Sequence, residues 1–225
     1  MVKLSTLGAA FAVVALMFTN SGAAVASEQS DLVDRAARTV EHMKVDPAFE
    51  RARSMMKDAK AVLVFPSLIR GGFIFGAEGG NGVMMGNNGG MWSDPVFFSM
   101  GSASFGLQAG LEATEVVMLI MSDRALEALT RAEFKIGADA GITLVSLSAG
   151  AGAATPPNLS GDIIVWTSGR GLYGGLTLNG SIVKARDDWN TAFYGRPVQV
   201  SEVLSNRVRA PAGENPIRRQ LSALN

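Results

Sequence analysis

The sequence predicts an α+β fold: a single domain with a glycine-rich, mainly antiparallel sheet or partial barrel, an N-terminal helical hairpin and short packed helices. Three observations carry this. Apolar residues recur every three or four positions near the start of the chain, then alternate or form short solid runs from Ala61 onward. Gly and Pro clusters punctuate those runs at short intervals. No linker-like stretch divides the chain beyond its first segment.

The first helix is expected from Ser30 to about Lys44, with Val33, Ala36, Ala37, Val40 and Met43 on one stripe. Asp46-Pro47 reads as a cap followed by a first helical position, opening a second helix to about Asp58 that buries Phe49, Ala52 and Met56. Ala61 to Phe65 is a buried strand bounded by Pro66. In the glycine-dense stretch that follows, Phe73, Phe75 and Ala77 alternate with Gly72, Ile74 and Gly76, the pattern of a strand whose small face is closely covered. Asn87-Asn88-Gly89-Gly90 is a hairpin turn, because Asn and Gly accept positive φ cheaply. Trp92 just beyond it suits either an interfacial anchor or a core residue.

Strands are expected at Val96 to Ser104 and Glu112 to Met121, the latter buried on both faces. Ser122-Asp123 caps a short helix to about Arg131, with Glu127 and Arg131 spaced for an i,i+4 pair. Further strands are expected at Ile142 to Ser148, Ile163 to Thr167 and Leu172 to Leu178. Short helices should begin at Asp187 and at Val200, the latter to about Arg207. From Pro211 the polar tail, 211–225, reads as flexible.

Residues 1–26 read as a secretory signal peptide. Lys3 gives a basic start, Leu7 to Phe18 is apolar, and Ala24-Val25-Ala26 supplies the small-x-small pattern for cleavage after Ala26. An apolar run of about 12 residues is short against the roughly 20 that span a bilayer as a helix. The domain would then occupy 27–210, in a periplasmic or exported setting. The absence of cysteine rules out an acylated lipoprotein start and any disulfide. Lys plus Arg and Asp plus Glu each total 20, which is not the electrostatic footprint of a nucleic-acid binder. Attraction to anionic lipid would have to be local.

Catalytic and cofactor patterns are scarce. His42 is the one histidine, on the polar side of the first helix, so neither a transition-metal set nor a His-based triad assembles around it. No G-x-x-x-x-G-K-[ST] loop occurs, and the Gly76 to Gly82 stretch misses the G-x-G-x-x-G spacing. The carboxylates Glu78, Glu112, Glu115 and Asp139 lie in or beside apolar strands, where an ionised group needs partners. Hydrogen bonding to glycine-rich backbone explains them better than chemistry does. Lys57, Lys60 and Arg70 bracket the first strand, and Leu68 and Ile69 have the character of residues that enter a membrane interface. Glu50 and Asp58 interleave with Arg51, Arg53, Lys57, Lys60 and Arg70, so an ordinary solvated face explains this cluster somewhat better than a headgroup contact does.

The order of motifs resembles the SYLF domain family. Lys60-Ala61-Val62-Leu63-Val64-Phe65-Pro66, then Gly71-Gly72-Phe73-Ile74-Phe75-Gly76 and Gly82-Val83-Met84-Met85, are similar to its opening. Trp92-Ser93-Asp94-Pro95, Gly106-Leu107-Gln108-Ala109-Gly110 and Glu112 to Val117 continue the likeness. Gly169 to Gly175, Leu178 to Ser181 and the Tyr-Gly segment ending at Gly195 complete it, over roughly Ser30 to Leu204. The resemblance implies phospholipid binding without catalysis or cofactor, phosphoinositides being the ligands of eukaryotic relatives. Some fungal relatives also bind actin, a partner that an exported bacterial protein would not meet. The expected reading is a peripheral module on an anionic phospholipid surface, with Lys57, Lys60, Leu68, Ile69 and Arg70 as its contacts. The alternative is an envelope structural or protein-interaction module, and a hydrolase built on Glu78, Glu112 or Asp139 is a third class.

Overall fold

A computed structural model describes residues 20–72, 75–105, 110–131, 133–137, 142–148, 160–168, 178, 180–211 and 215–224. The first helix, α1 (Asn20–Val45), is longer than its apolar stripe suggests. Leu32, Val33, Ala36, Ala37, Val40 and Met43 are all buried, so its apolar face is spent on the core. The expected second helix breaks into α2 (Glu50–Arg53) and a 3-10 turn (Met56–Asp58). Asp46 does accept from the Ala48 N–H. Neither short piece has a side-chain cap, so packing of Phe49, Ala52 and Met56, all fully buried, holds the turns.

The described strands are β1 (Ala61–Gly72), β2 (Phe75–Asn88), β3 (Met91–Trp92), β4 (Val96–Phe105), β5 (Gly110–Ile120), β6 (Phe134–Lys135), β7 (Leu144–Ser148), β8 (Ile163–Thr167) and β9 (Ile182–Ala185). They form a curled sheet in the order β6-β9-β4-β2-β1-β5-β8-β7, with β3 paired to β2. Every pairing is antiparallel except β7 with β8. Among the described residues, the helices that follow β5 are α3 (Asp123–Thr130), α4 (Asp187–Tyr194), α5 (Val200–Leu204) and α6 (Pro216–Ser222). Val62, Val64, Val83, Val117, Leu119 and Ile164 face the core under α1, α2 and α6, whereas Leu63, Phe65, Met84, Met118, Ile120 and Val165 face the core under α3 and α5. The sheet is thus a buried layer between two helical layers.

Pro66 does not end the first strand. It sits in a β-bulge: Phe65 pairs with Val116 and Leu68 with Thr114, so Pro66 and Ser67 stand against Glu115 alone. A proline has no N–H for the ladder, and a bulge is one of the few places a strand admits it. On the other side the surplus backbone lies over Gly80 and Gly82. A Cβ on Gly80 would meet the Ser67 carbonyl oxygen at 2.3 Å, and one on Gly82 the Phe65 ring at 2.6 Å.

The Asn87–Gly90 turn is as expected, with φ of 65° at Gly89 and 92° at Gly90. The expected strand at Leu172 to Leu178 lies outside the described residues apart from Leu178, which is buried; Asp139 and Gly169 to Gly175 also lie outside them. The 211–225 tail is not loose over its described part. Asn215 caps α6 by accepting from the Arg218 N–H, Pro216 occupies its first turn, and Ile217 and Leu221 are buried.

Candidate functional site

The five expected contact residues do not form one site. Lys60 and Arg70 stand at opposite ends of β1, ten positions and so roughly 30 Å apart at the rise of an extended strand. No single headgroup touches both. Leu68 is 1% exposed and belongs to the core, because the bulge turns it to the same face as Phe65. Ile69, 51% exposed, is the residue that points outward there. Arg70 is half-buried, in register with Glu78 on one neighbour strand and Glu112 on the other, so its surroundings are mixed in charge.

At the other end, backbone and amide hydrogen bonds gather three distant segments. Asn87 donates its backbone N–H to the Lys60 carbonyl at 2.8 Å and its side-chain amide to the Lys57 carbonyl at 3.3 Å. Asn88 donates to the Leu204 carbonyl at 2.8 Å, and Asn206 to the Met91 carbonyl at 3.4 Å. The segments of exposed Lys57 and Arg207 therefore share this end with Lys60, whose ammonium meets Asp123 at 3.3 Å in an open, weak pair. Asp58, exposed, and Glu202, half-buried, are the nearby acids in sequence. Met91 tops the hairpin, 64% exposed. Sequence order concealed Met91 and Arg207; the signal that was present is the Asn-Asn-Gly-Gly turn, whose amides do the stitching.

Among the remaining polar groups singled out by sequence, Glu115 and His42 lie between elements. Glu115, released from β1 by the Pro66 bulge, accepts from Thr39 Oγ1 at 2.7 Å and lies 3.0 Å from His42 Nδ1, fastening α1 to β5. Its backbone N–H donates to Ser168 Oγ. Trp92 is buried and is a core residue. Asp94 meets Arg218 at 2.5 Å and accepts from the Ala210 N–H. Tyr194 donates to the Pro95 carbonyl, and burial followed by the nearby Asp94 charge pushes its phenol well above the usual range. Asp162 is held well below the ordinary carboxylate range by hydrogen bonds, first from the Ser122 hydroxyl and then from the Thr143 backbone.

One open cleft of about 650 Å³ lies beside α1 and α4, lined by Glu28, Asp31, Asp34, Arg35, Arg38, Asn81 and Trp189. It mixes acids with bases, and Arg186 stacks over the Trp189 ring at 4.6 Å while also pairing with Asp188. Among the described residues no group of three or more His, Asp or Glu is placed to hold a metal ion, and no helix is long and apolar enough to cross a membrane.

Residues 101–224, from the far half of β4 through α6, match the family model described as "Ysc84: Las17-binding protein actin regulator". The chain belongs to the Ysc84, or SYLF, family. It is 27% identical over 173 residues to "Protein YSC84" of Saccharomyces cerevisiae, covering 75% of this chain and 37% of that protein. "LAS seventeen-binding protein 3" of the same yeast is 26% identical over 173 residues, covering 75% and 38%. The human "SH3 domain-containing YSC84-like protein 1" is 26% identical over 152 residues, covering 67% and 44%. The chain thus spans about two fifths of the length of these relatives. The SYLF likeness carried by Trp92-Ser93-Asp94-Pro95 and Tyr194-Gly195 rests on residues that lock this fold: Ser93 Oγ accepts from the Gly86 N–H, and Gly195 ends α4 at φ 68°.

Proposed function

We propose that this SYLF-family chain is a non-catalytic module that binds anionic phospholipid peripherally, and that it does so after export across a bacterial inner membrane with residues 1–26 removed. The observation that supports this best is the gathering of the Lys57, Lys60 and Arg207 segments at one end of the sheet beside an exposed Met91. A near-neutral protein needs such a local patch to prefer an anionic surface. The apolar stripe of α1 is buried against the sheet, so it is not the element that meets lipid. Arg70 and Leu68 drop out of the contact set.

Co-sedimentation of the exported protein with neutral and anionic phospholipid vesicles tests the reading. Binding should favour anionic vesicles and weaken as salt rises. At about 1 kcal/mol for each cation near such a surface, the triple change Lys57→Gln, Lys60→Gln, Arg207→Gln should weaken it roughly a hundredfold without lowering the melting temperature. Equal binding to neutral vesicles, or none by a folded protein, ends it. A protein partner is the second reading, favoured by the binding partner in the name of the "LAS seventeen-binding protein 3" relative; absence of lipid binding would move the search there. Export is tested separately, by the N-terminal mass of protein recovered from the periplasm, which should correspond to a chain beginning at Ser27.

A further inference from the structure

We infer that the Asn87–Met91 hairpin tip is the part of the molecule that enters the bilayer interface, with Met91 inserted and Lys57 and Arg207 set against headgroups. This rests on the lipid reading above and adds an orientation to it. Four large apolar side chains stand exposed among the described residues: Val45, Ile69, Met91 and Ile182. Met91 stands at a hairpin tip, directly after the two-residue turn Gly89-Gly90 that joins β2 to β3, both glycines exposed and nothing within 4 Å of where a Gly89 Cβ would stand. Ile182 also follows a turn, at Gly180, but lies in register with Lys135 of β6, within the sheet. The Gly89-Gly90 turn therefore projects as a narrow loop with a flexible apolar side chain at its rim.

Backbone chemistry fits insertion as well. A loop that enters an interface must not carry free N–H groups into it. Asn87 Oδ1 accepts from the Gly90 N–H at 2.8 Å, and the Met91 carbonyl accepts from Asn206. The tip is braced by the Asn88 bond to Leu204, so little ordering cost remains to be met on binding. Charge does not single one of the exposed residues out: Ile69 adjoins Arg70, which has glutamate positions on both neighbouring strands, and Val45 stands between Lys44 and Asp46, with Glu50 paired to Arg53. The Met91 hairpin is bonded to the segments that carry Lys57, Lys60 and Arg207, with Asp58, Asp123 and Glu202 as the acids of those segments or paired to them. With the tip down, β1 and β2 rise away from the bilayer, and Ile69 is held roughly 30 Å off it.

The chain has no cysteine, so Met91→Cys and Ile69→Cys each give a unique thiol for an environment-sensitive fluorophore on the exported protein. Phosphatidylcholine vesicles with and without phosphatidylglycerol are the probes. The label at 91 should blue-shift on phosphatidylglycerol-containing vesicles and the label at 69 should not. Met91→Asp should weaken unlabelled co-sedimentation about tenfold with an unchanged melting temperature, and Met91→Leu should restore it. Intact co-sedimentation with a silent label at 91, or a shift at 69 instead, overturns this orientation and leaves lipid binding standing. No co-sedimentation of the unsubstituted protein overturns both.

Discussion

Gly80 shows what a single position contributes to this molecule. Its missing side chain makes room for the Ser67 carbonyl, and a methyl group there would meet backbone at 2.3 Å, where no side-chain rotation relieves the clash. Gly80→Ala should cost about 2 kcal/mol, read as a lowered urea midpoint with an unchanged slope. That glycine was legible as a close contact, but not what lay on it, because Pro66 reads equally as a strand end or as a bulge until the partner strand is known. Asp162 is a second residue with a measurable role. Its carboxylate accepts from the Ser122 hydroxyl, the Thr143 backbone and Arg124, so its pKa is depressed in the folded protein. A depressed carboxylate stabilises the fold above its unfolded pKa near 4 and ceases to do so as pH falls through the lower, folded value. Asp162→Asn should therefore cost about 2 kcal/mol at neutral pH, with the gap to the parent protein narrowing only below about pH 4 in urea titrations.

Among the elements, α1 and α6 differ most in how far sequence exposes them. The i, i+3, i+4 stripe of α1 was plain, and each residue named on it is buried. Its polar attachments were not plain: Gln29 donates to the Trp189 carbonyl at 2.8 Å, and Lys44 donates to Gln220 at 3.1 Å, partners more than 150 positions away. The last helix, α6, was hidden by its brevity, two apolar residues in a polar tail, although Asn215-Pro216 is a start signal of the same kind as Asp46-Pro47. Its anchor is Arg218 on the largely buried Asp94. Arg218→Ala leaves that carboxylate without its cation and should cost about 2 kcal/mol, less than for a fully buried pair because Arg218 is partly exposed. Thermal melts check it, and Arg218→Lys should recover part of the loss but not the bond to the Trp92 carbonyl.

For the whole molecule, the α+β class and the two-sided burial of β5 followed from periodicity, while the functional end did not. Lys57 and Arg70 are close in number, and an extended strand makes close numbers distant in space. Lys57 and Arg207 are far apart in number, and their segments come to one end of the sheet because Asn87 and Asn88 bind both.

The bulge at Pro66 also bears on how the chain finds this arrangement. A strand that slides by two residues keeps every side chain on its own face, so hydrophobic patterning alone does not penalise that error. Here the surplus residue of β1 works as a key and the side-chain-free positions Gly80 and Gly82 as its slot: slid by two toward Glu78, the Ser67 carbonyl would be driven against a neighbour that carries a side chain, and only the opposite slip meets another glycine. Proline and glycines thus work as one unit, and altering either alone would weaken the guard against misaligned, aggregation-prone sheets without touching the residues proposed to meet a ligand.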